Sequence, residues 1–332
     1  MSFNTTVLTY NGKTTLDIVV YIIIILLGTS GNSVVIWVAG IRMKPIVTNV
    51  WLINLAVADL IFCLVQISQL IRHIFFDHWP FGLFICKFNA FVKYANMFCS
   101  VFHLAVISVD RAICVWRPVF TKERRTLYAA RVVSLGVWIV ALIFSSPFLV
   151  YRGVYPDKKN VSKCSLKVRT ALHKCLNSKY VYYNIRFFCG FLLPFLVIFI
   201  CYTLAAIGIR RTRLSGKSRS LRILALLVFA FFFCWAPYHI LGLVKMINKN
   251  HPAVKLGQHM TSNLAYFNSC VNPMLYFCTG LKLRQRCNQS LLGIFHRALT
   301  EEGQALSQDT NMEEQFKCAD RVYQTPVCMT KD

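Results

Sequence analysis

The stretch CKFNAFVKYANMFCSVFHLAVISVDRAICVWR, Cys86 to Arg117, decides how this chain folds. It is mostly apolar, begins at a cysteine and ends in Asp110-Arg111 followed by further basic residues. As an α-helix, the part up to Arg111 would be about 37 Å long, slightly more than the roughly 30 Å hydrocarbon core of a bilayer. One helical face carries residues at spacings of three and four, namely Lys93, Asn96, Met97, Ser100, Leu104, Ile107 and Arg111. Because cations are costly at membrane depth, this face should meet protein or water, and the helix should join an outer pocket to an inner switch.

Hydrophobic residues make up 56% of the chain, which is far more than a soluble domain of 332 residues needs. The surplus lies in seven apolar runs long enough to cross a bilayer, at about 17–40, 49–71, 84–116, 130–151, 181–209, 221–247 and 259–279. We therefore predict an all-α membrane protein, with a tail at 1–16 and a seven-transmembrane helix bundle at 17–279. The net charge of +24 sits in the loops, so we expect no nucleic-acid partner.

The orientation of the bundle follows from counting spans, because basic residues occur in the loops on both sides. Asn4 and Asn160 begin acceptor sequons for glycosylation, and seven spans place both on the same side as Cys86 and Cys164. We expect that side to be the oxidising exterior, with a Cys86–Cys164 disulfide and an extracellular N-terminus. The protein would then be a multi-pass protein of the plasma membrane. Cys175, in the same loop as Cys164, has no assigned partner.

A carboxylate in the middle of a span needs partners, and the second span carries Asp59. Oxygen-bearing side chains of the other spans fall at matching depths: Asn32, Asn96, Ser100, Asn268, Ser269 and Asn272. Such ligands suit a small hard cation, so we predict an allosteric sodium site and no other cofactor. A buried Asp59 held only by hydrogen bonds is the alternative.

Two spans contain prolines that remove backbone hydrogen bonds and permit kinks, at Trp235-Ala236-Pro237 and Asn272-Pro273. Irregular backbone of this kind often marks a moving part, although a purely structural kink is the alternative for each proline.

After the last span, apolar and basic residues separate onto two helical faces at 280–299, which predicts an amphipathic juxtamembrane helix on the inner leaflet, in contact with membrane lipid. Cys287 lies on the apolar face, where palmitoylation and simple burial are both open. The polar residues 300–332 predict a disordered cytoplasmic tail with Ser and Thr available for phosphorylation.

The loop between Tyr151 and Tyr180 carries eight basic residues against one acid, Asp157. This charge is either a solvated surface or a device that steers anionic ligands toward the protein.

Motifs in every span together resemble the rhodopsin-like (class A) G-protein-coupled receptors. They are Gly31-Asn32, Leu55 to Asp59, Cys86, Asp110-Arg111, Trp138, Pro194 with Tyr202, Cys234 to Pro237, and Asn272-Pro273 with Tyr276. Finer matches resemble the chemoattractant branch, which includes receptors for formyl peptides, anaphylatoxins and chemerin and the prostanoid chemoattractant receptor. These matches are NSVVIWVAG from Asn32, WPFG from Trp79, RAICVWRPVF from Arg111 and GFLLPFLVIFICY from Gly190.

The resemblance implies an inhibitory-class heterotrimeric G protein as partner, receptor kinases and arrestin acting at the tail, and no enzymatic activity. It also implies a set of activation-switch residues: Asp110, Arg111, Tyr202, Trp235, Pro237, Asn272, Pro273 and Tyr276. Two departures stand out. Ala112 replaces the usual tyrosine, and 213–222 has no carboxylate that would bridge to Arg111.

The ligand pocket is predicted to be cationic. Lys93 stands where amine receptors have an aspartate, and Tyr266 stands where opsins have the lysine that holds retinal, so neither chemistry fits. The residues expected at the ligand are Arg72, Lys93, Tyr94, Met97, Arg186, Trp235, Tyr238, His239, Lys245 and Tyr266. The four cations among them suit a carboxylate or phosphate, although Arg72 and Lys245 could instead snorkel to the interface.

The sequence thus predicts a receptor for an extracellular anionic chemoattractant, either a peptide carboxylate or a lipid acid. A non-signalling scavenger or decoy receptor of the same fold is the alternative, against which Arg111 and Asn272-Pro273 argue. A transporter should show paired repeats with broken helices in both halves, and the sequence shows none.

Overall fold

The computed structural model describes residues 15–156, 160–166, 178–212, 218–248 and 251–278. The predictions for Asn4, Cys175, the amphipathic helix with Cys287 and the tail therefore lie outside the described residues. Within them, eight helices and one short hairpin follow each other along the chain.

The first four helices are α1 at Thr15–Arg42, α2 at Val47–Phe75, α3 at Gly82–Trp116 and the short α4 at Pro118–Arg124. After α5 at Leu127–Tyr151 come the strands β1, Arg152–Pro156, and β2, Ser162–Leu166. The helix α6 has three parts, Ser178–Phe187, a π-helical turn at Phe188–Leu192, and Leu193–Thr212. The helices α7 and α8 run over Ser218–Ile247 and Pro252–Cys278.

Six of these helices are long and apolar enough to cross a membrane: α1, α2, α3, α5, α6 and α7. They match the first six predicted spans. The seventh, α8, is a helix of 27 residues that begins at Pro252 rather than at His259. Its lower apolar content comes from the polar residues Asn263, Asn268, Ser269 and Asn272.

All but the last residue of the Cys86–Arg117 stretch lies within α3, the most buried of the six long apolar helices. The most apolar window of α3 is 56% buried, against 28% for α1, α5 and α6. The helix packs against α2, α5 and α6, and it also contacts β1 and α7. Close approach to α6 occurs at Gly190, where an added Cβ would lie 2.7 Å from Cε of Met97. The absence of a side chain at Gly190 therefore allows α6 to pack closely against α3 at Met97.

A disulfide between Cys86 of α3 and Cys164 of β2 closes one end of the bundle, as predicted. The two strands pair antiparallel, with Val154 opposite Cys164, and the backbone amide of Trp79 donates to the Ser162 carbonyl at 2.8 Å. The hairpin is thereby tied to the start of α3 at two points. We call this the disulfide end, and we call the other end of α3 the Arg111 end.

Prolines lie inside four of the described helices, Pro147 in α5, Pro194 in α6, Pro237 in α7 and Pro273 in α8. The two prolines that the sequence marked as kinks therefore both interrupt the backbone hydrogen bonding of a membrane-crossing element. Buried residues are close to both prolines along the chain, since Trp235 precedes Pro237 by two positions and Asn272 directly precedes Pro273.

Candidate functional site

Lys93 lies on the inner face of α3, less than three turns from Cys86, and is held by two tyrosines. Its Nζ donates to the hydroxyls of Tyr238 and Tyr266, each at 3.1 Å. The same atom lies 4.5 Å and 4.6 Å from the centroids of the two rings. Aromatic faces attract cations, so the charge of Lys93 is stabilised inside the bundle without an acid.

Arg186 of α6 is the second buried cation of this region, with 7% of its surface exposed. Its Nη1 donates to the Tyr238 hydroxyl at 3.2 Å, and its guanidinium carbon lies over the rings of Tyr238 at 4.5 Å and Tyr183 at 4.9 Å. Space for the guanidinium comes from Gly242 of α7, because an added Cβ there would collide with Nη2.

The Tyr238 hydroxyl joins both cations. It accepts hydrogen bonds from Lys93 and Arg186 and lies 3.0 Å from the hydroxyl of Tyr94. Tyr94 in turn stacks on Phe148 of α5. The structure therefore brings α3, α6, α7 and α8 together around two positive charges and three phenolic oxygens, which we call the cation box: Lys93, Tyr94, Arg186, Tyr238 and Tyr266.

The cation box has no acidic side chain among the described residues. These contain five acids in all, of which Asp77 and Glu123 are exposed. Asp17 pairs with His259, Asp59 with two asparagines, and Asp110 with two arginines. A carboxylate of a ligand would therefore meet two cations that no described protein acid neutralises.

Three further residues predicted at the ligand, Met97, Trp235 and His239, lie close to the cation box along α3 and α7. All three are almost completely buried. The His239 ring packs 4.8 Å from that of Phe191, and the Trp235 ring meets Tyr238 edge to face at 5.7 Å. Neither nitrogen of His239 has a hydrogen-bond partner within the described residues.

Arg72 and Lys245 each form a hydrogen bond to a residue outside the cation box. Arg72 pairs with its neighbour His73, and Lys245 donates to Gln258 of α8 at 2.8 Å. Of the four cations predicted at the ligand, the cation box therefore contains two, Lys93 and Arg186. Sequence reasoning missed Tyr183, whose ring supports Arg186; the spacing of three residues on one helix was the available signal.

Asp59 is fully buried between α2, α3 and α8. Its Oδ1 accepts from Nδ2 of Asn96 and its Oδ2 from Nδ2 of Asn272, both at 2.8 Å. Asn32 donates to the Ser269 carbonyl at 2.9 Å, and the Ser269 hydroxyl neighbours the Asp59 carboxylate. Three buried oxygens of the predicted sodium-site residues, on α1, α3 and α8, have no hydrogen-bond partner within the described residues, namely Oδ1 of Asn32, Oγ of Ser100 and Oδ1 of Asn268.

At the Arg111 end, two arginines share the same acceptors. Arg111 Nη2 donates to Asp110 at 2.9 Å and to Thr48 at 2.8 Å. Arg125, which follows α4, donates to both carboxylate oxygens of Asp110 at 2.7 Å and 3.1 Å, and to Thr48 at 3.1 Å. Burial alone would lower the pKa of Arg125, but its hydrogen bonds to Asp110 and the attraction of that charge outweigh burial and raise it.

Comparison with known proteins assigns this arrangement to a family. The family model described as 7 transmembrane receptor (rhodopsin family) matches residues 31–276. This chain belongs to the rhodopsin family of seven-transmembrane receptors. The match spans the cation box, the Asp59 site and the Arg111 end, so it covers every site described above.

Relatives of this receptor bear the names of chemoattractant receptors. The human fMet-Leu-Phe receptor is 36% identical over 303 residues, which cover 86% of this chain and 87% of the human one. The C3a anaphylatoxin chemotactic receptor of Danio rerio is 37% identical, covering 90% of this chain and 81% of its own. The mouse formyl peptide receptor 2 is 37% identical, covering 89% of both chains. The predicted resemblance to the chemoattractant branch of class A is confirmed.

In the part of the chain that the structure describes, hydrogen bonds do not join the predicted switch residues into one network. Tyr202 neighbours Arg111 and Ser108, and Tyr276 is fully buried. Within the described residues, neither tyrosine hydrogen-bonds to Arg111, which is occupied by Asp110 and Thr48. The roles predicted for Tyr202 and Tyr276 stay predictions.

Proposed function

We propose that this receptor binds an extracellular chemoattractant through an anionic group, and that Lys93 and Arg186 hold that group. The observation that carries the proposal is the pair of cations that meet at one hydroxyl, with no described acid beside them. The names of the relatives, which refer to fMet-Leu-Phe and C3a, favour a peptide carboxylate over a lipid acid.

The disulfide end faces the outside of the cell in this proposal. The hairpin and its disulfide belong at an oxidising surface, and Asn160, whose sequon marks it for glycosylation, lies between the two strands. The tail with Asn4 would then be extracellular as well. The Arg111 end would face the cytoplasm, where an inhibitory-class G protein binds and where receptor kinases and arrestin act on the tail.

Binding can favour the active state only by as much as the ligand prefers that state over the inactive one. The anion contacts α3 through Lys93 and α6 through Arg186, and both cations also bind Tyr238 of α7. Tyr238 follows Pro237 and packs on Trp235. We propose that ligand binding changes this connection and so alters the position of the kinked helix α7, which opens a site for the G protein at the Arg111 end.

Sodium is the proposed allosteric ion at Asp59. The residues fit a hard cation, because three partnerless buried oxygens accompany one buried carboxylate. When bound, the ion supplies a positive charge that balances Asp59 and favours the inactive state. Asn96 and Asn272 orient the carboxylate from α3 and α8, so the two helices keep one arrangement around it.

A screen of chemotactic peptides and lipid carboxylates against cells expressing the receptor tests the proposal. The readout is inhibition of cyclic AMP, with and without a blocker of inhibitory-class G proteins. A ligand-dependent response that the blocker removes would support receptor and coupling together. Silence at normal surface expression, combined with uptake of ligand, would instead favour the scavenger.

Variants then test the cation box. Lys93→Gln and Arg186→Gln should each weaken binding of the ligand by about 2 to 5 kcal/mol, or about 30-fold and more. Lys87→Gln, on the same helix but nearer its start, is the matched control and should leave affinity unchanged. Amidating the ligand carboxylate should cost at least as much in the wild type, and should cost less in Lys93→Gln, where only Arg186 remains to bind the charge. Unchanged affinity in both pocket variants would remove the anionic-ligand proposal.

A further inference from the structure

The Tyr238 hydroxyl occupies the point at which the hydrogen-bond donors of Lys93 and Arg186 converge. It lies 3.1 Å from Lys93 Nζ and 3.2 Å from Arg186 Nη1. These are the distances at which a carboxylate oxygen would accept from the same two groups. Within the described residues, it is also the one oxygen that both cations contact at once.

The hydrogen bonds of this hydroxyl are complete. A phenolic oxygen accepts two hydrogen bonds and donates one. With Lys93 and Arg186 as donors, its own proton points to the Tyr94 hydroxyl, 3.0 Å away. A ligand oxygen therefore cannot join this arrangement as an additional acceptor at the shared point. Lys93 keeps a third N–H, and Nε of Arg186 has no hydrogen-bond partner within the described residues, but a carboxylate oxygen that accepts from both cations at the shared point has to take the place of the hydroxyl.

Tyr238 belongs to a different helix from either cation. Lys93 is on α3, Arg186 is on α6, and Tyr238 follows Pro237 on α7. The two charge-assisted hydrogen bonds therefore fasten α7 to α3 and α6 directly beside its proline. Loss of those bonds would release α7 at the place where its backbone is weakest.

We propose that the Tyr238 hydroxyl holds the anion position of the empty pocket, and that the carboxylate of the ligand displaces it and so releases α7. This rests on the proposed function and deepens it, since it assigns Tyr238 as a competitor of the ligand rather than as one of its contacts. The ligand carboxylate and the tether of α7 then exclude each other. Receptor activation follows from that competition.

Removing the hydroxyl distinguishes a competitor of the ligand from a ligand contact, because the two roles predict opposite changes in ligand affinity. Tyr238→Phe frees both cations for the ligand, so a carboxylate should bind more tightly, whereas loss of a ligand contact would weaken binding. Tyr266→Phe is the matched control, because its hydroxyl accepts from Lys93 at 3.1 Å but not from Arg186. It should change the affinity for a carboxylate much less.

The probe is 3-phenylpropionate, a small carboxylate with an aromatic ring, and its amide is the neutral control. Purified full-length receptor is titrated with each compound, and Kd is taken from the rise in thermal unfolding temperature. We expect Tyr238→Phe to bind 3-phenylpropionate about tenfold more tightly than the wild type does, with no change for the amide. Equal or weaker binding in Tyr238→Phe, or no binding to either protein, would overturn the inference.

Two accompanying measurements keep the outcomes distinct. Lys93→Gln in the same titration reports on the anion site alone. If it and Arg186→Gln both bind the carboxylate as well as the wild type does, the proposed function fails whatever Tyr238→Phe shows.

In cells, Tyr238→Phe should raise ligand-independent inhibition of cyclic AMP at least twofold at equal surface expression, since the α7 tether is lost. Unchanged basal signalling would remove the release of α7 from the proposal.

Discussion

Lys93 and Arg186 show how two like charges are accommodated inside a membrane protein without a described counter-ion. Each lies over tyrosine rings at 4.5 to 4.9 Å and donates to a phenolic oxygen. Cation–π attraction at desolvated sites contributes about 2 kcal/mol. Rings and hydroxyls can stabilise the charges but cannot neutralise them, so the pair retains its attraction for an anion.

The room for Arg186 depends on one glycine. In Gly242→Ala, the new methyl group would meet the guanidinium, which has to move away from Tyr238. We expect ligand affinity to fall at least tenfold while surface expression stays near normal, as measured by radioligand binding and cell-surface labelling. Gly136→Ala of α5 is the control, because nothing lies within 4 Å of its added Cβ, and it should bind as the wild type does. Equal effects of the two substitutions would contradict this account.

Asp59 offers a second prediction at the residue scale. In Asp59→Asn, the carboxylate that a sodium ion needs is replaced by a neutral amide, while the contacts to Asn96 and Asn272 can be retained in part. Agonist affinity should then be the same in sodium and in choline buffers, whereas the wild type should bind agonist more weakly in sodium. Asp77→Asn, an exposed acid, should keep the sodium effect. A sodium effect that survives in Asp59→Asn would move the ion elsewhere.

At the scale of elements, α3 connects the two functional ends. The disulfide and the hairpin fix its start, and its last turns carry Asp110 and Arg111. The element beyond it, α4, brings Arg125 back onto Asp110 and Thr48. Arg125 thus competes with Arg111 for the same two acceptors. The position of the short helix sets how firmly Arg111 is held.

Removal of this competitor should favour the inactive state. In Arg125→Gln, Asp110 and Thr48 are left to Arg111 alone, so Arg111 is released less readily for the G protein. We expect lower basal inhibition of cyclic AMP and at least a threefold loss of agonist potency at equal surface expression. Arg124→Gln, the exposed neighbour at the end of α4, is the control. Higher basal activity in Arg125→Gln would show that Arg125 restrains the receptor instead.

The sequence predicted the elements better than it predicted their contacts. The spans could be predicted because they depend on local apolar composition. The disulfide could be predicted because the number of spans places Cys86 and Cys164 on the same side of the membrane. Of the four pocket cations, Arg72 and Lys245 bind elsewhere, since a long side chain at the outer end of a helix can turn to several partners. Arg125 was missed because its contact with Asp110 is made across a turn, where helical spacing gives no signal.

At the scale of the whole molecule, we expect the distribution of charge to attract anions before they bind. The chain has 37 basic and 13 acidic residues, and the loop from Tyr151 to Tyr180 has eight basic residues against Asp157. Fields of this kind accelerate encounter with an oppositely charged ligand and are screened by salt. The cation box, in contrast, is proposed to act only after the ligand has entered. The two groups of cations should therefore affect different rate constants.

Kinetics can separate them. Raising the ionic strength from about 0.01 M to about 0.15 M shortens the Debye length from about 30 Å to about 8 Å, and should slow association of the anionic ligand about tenfold with little change in dissociation. Lys158→Gln with Lys159→Gln should reproduce part of that slowing and reduce its salt dependence. Lys93→Gln should instead speed dissociation, because the charge it removes contacts the bound ligand. If the loop substitutions changed dissociation and left association alone, the loop would be a binding contact and the steering role would be rejected.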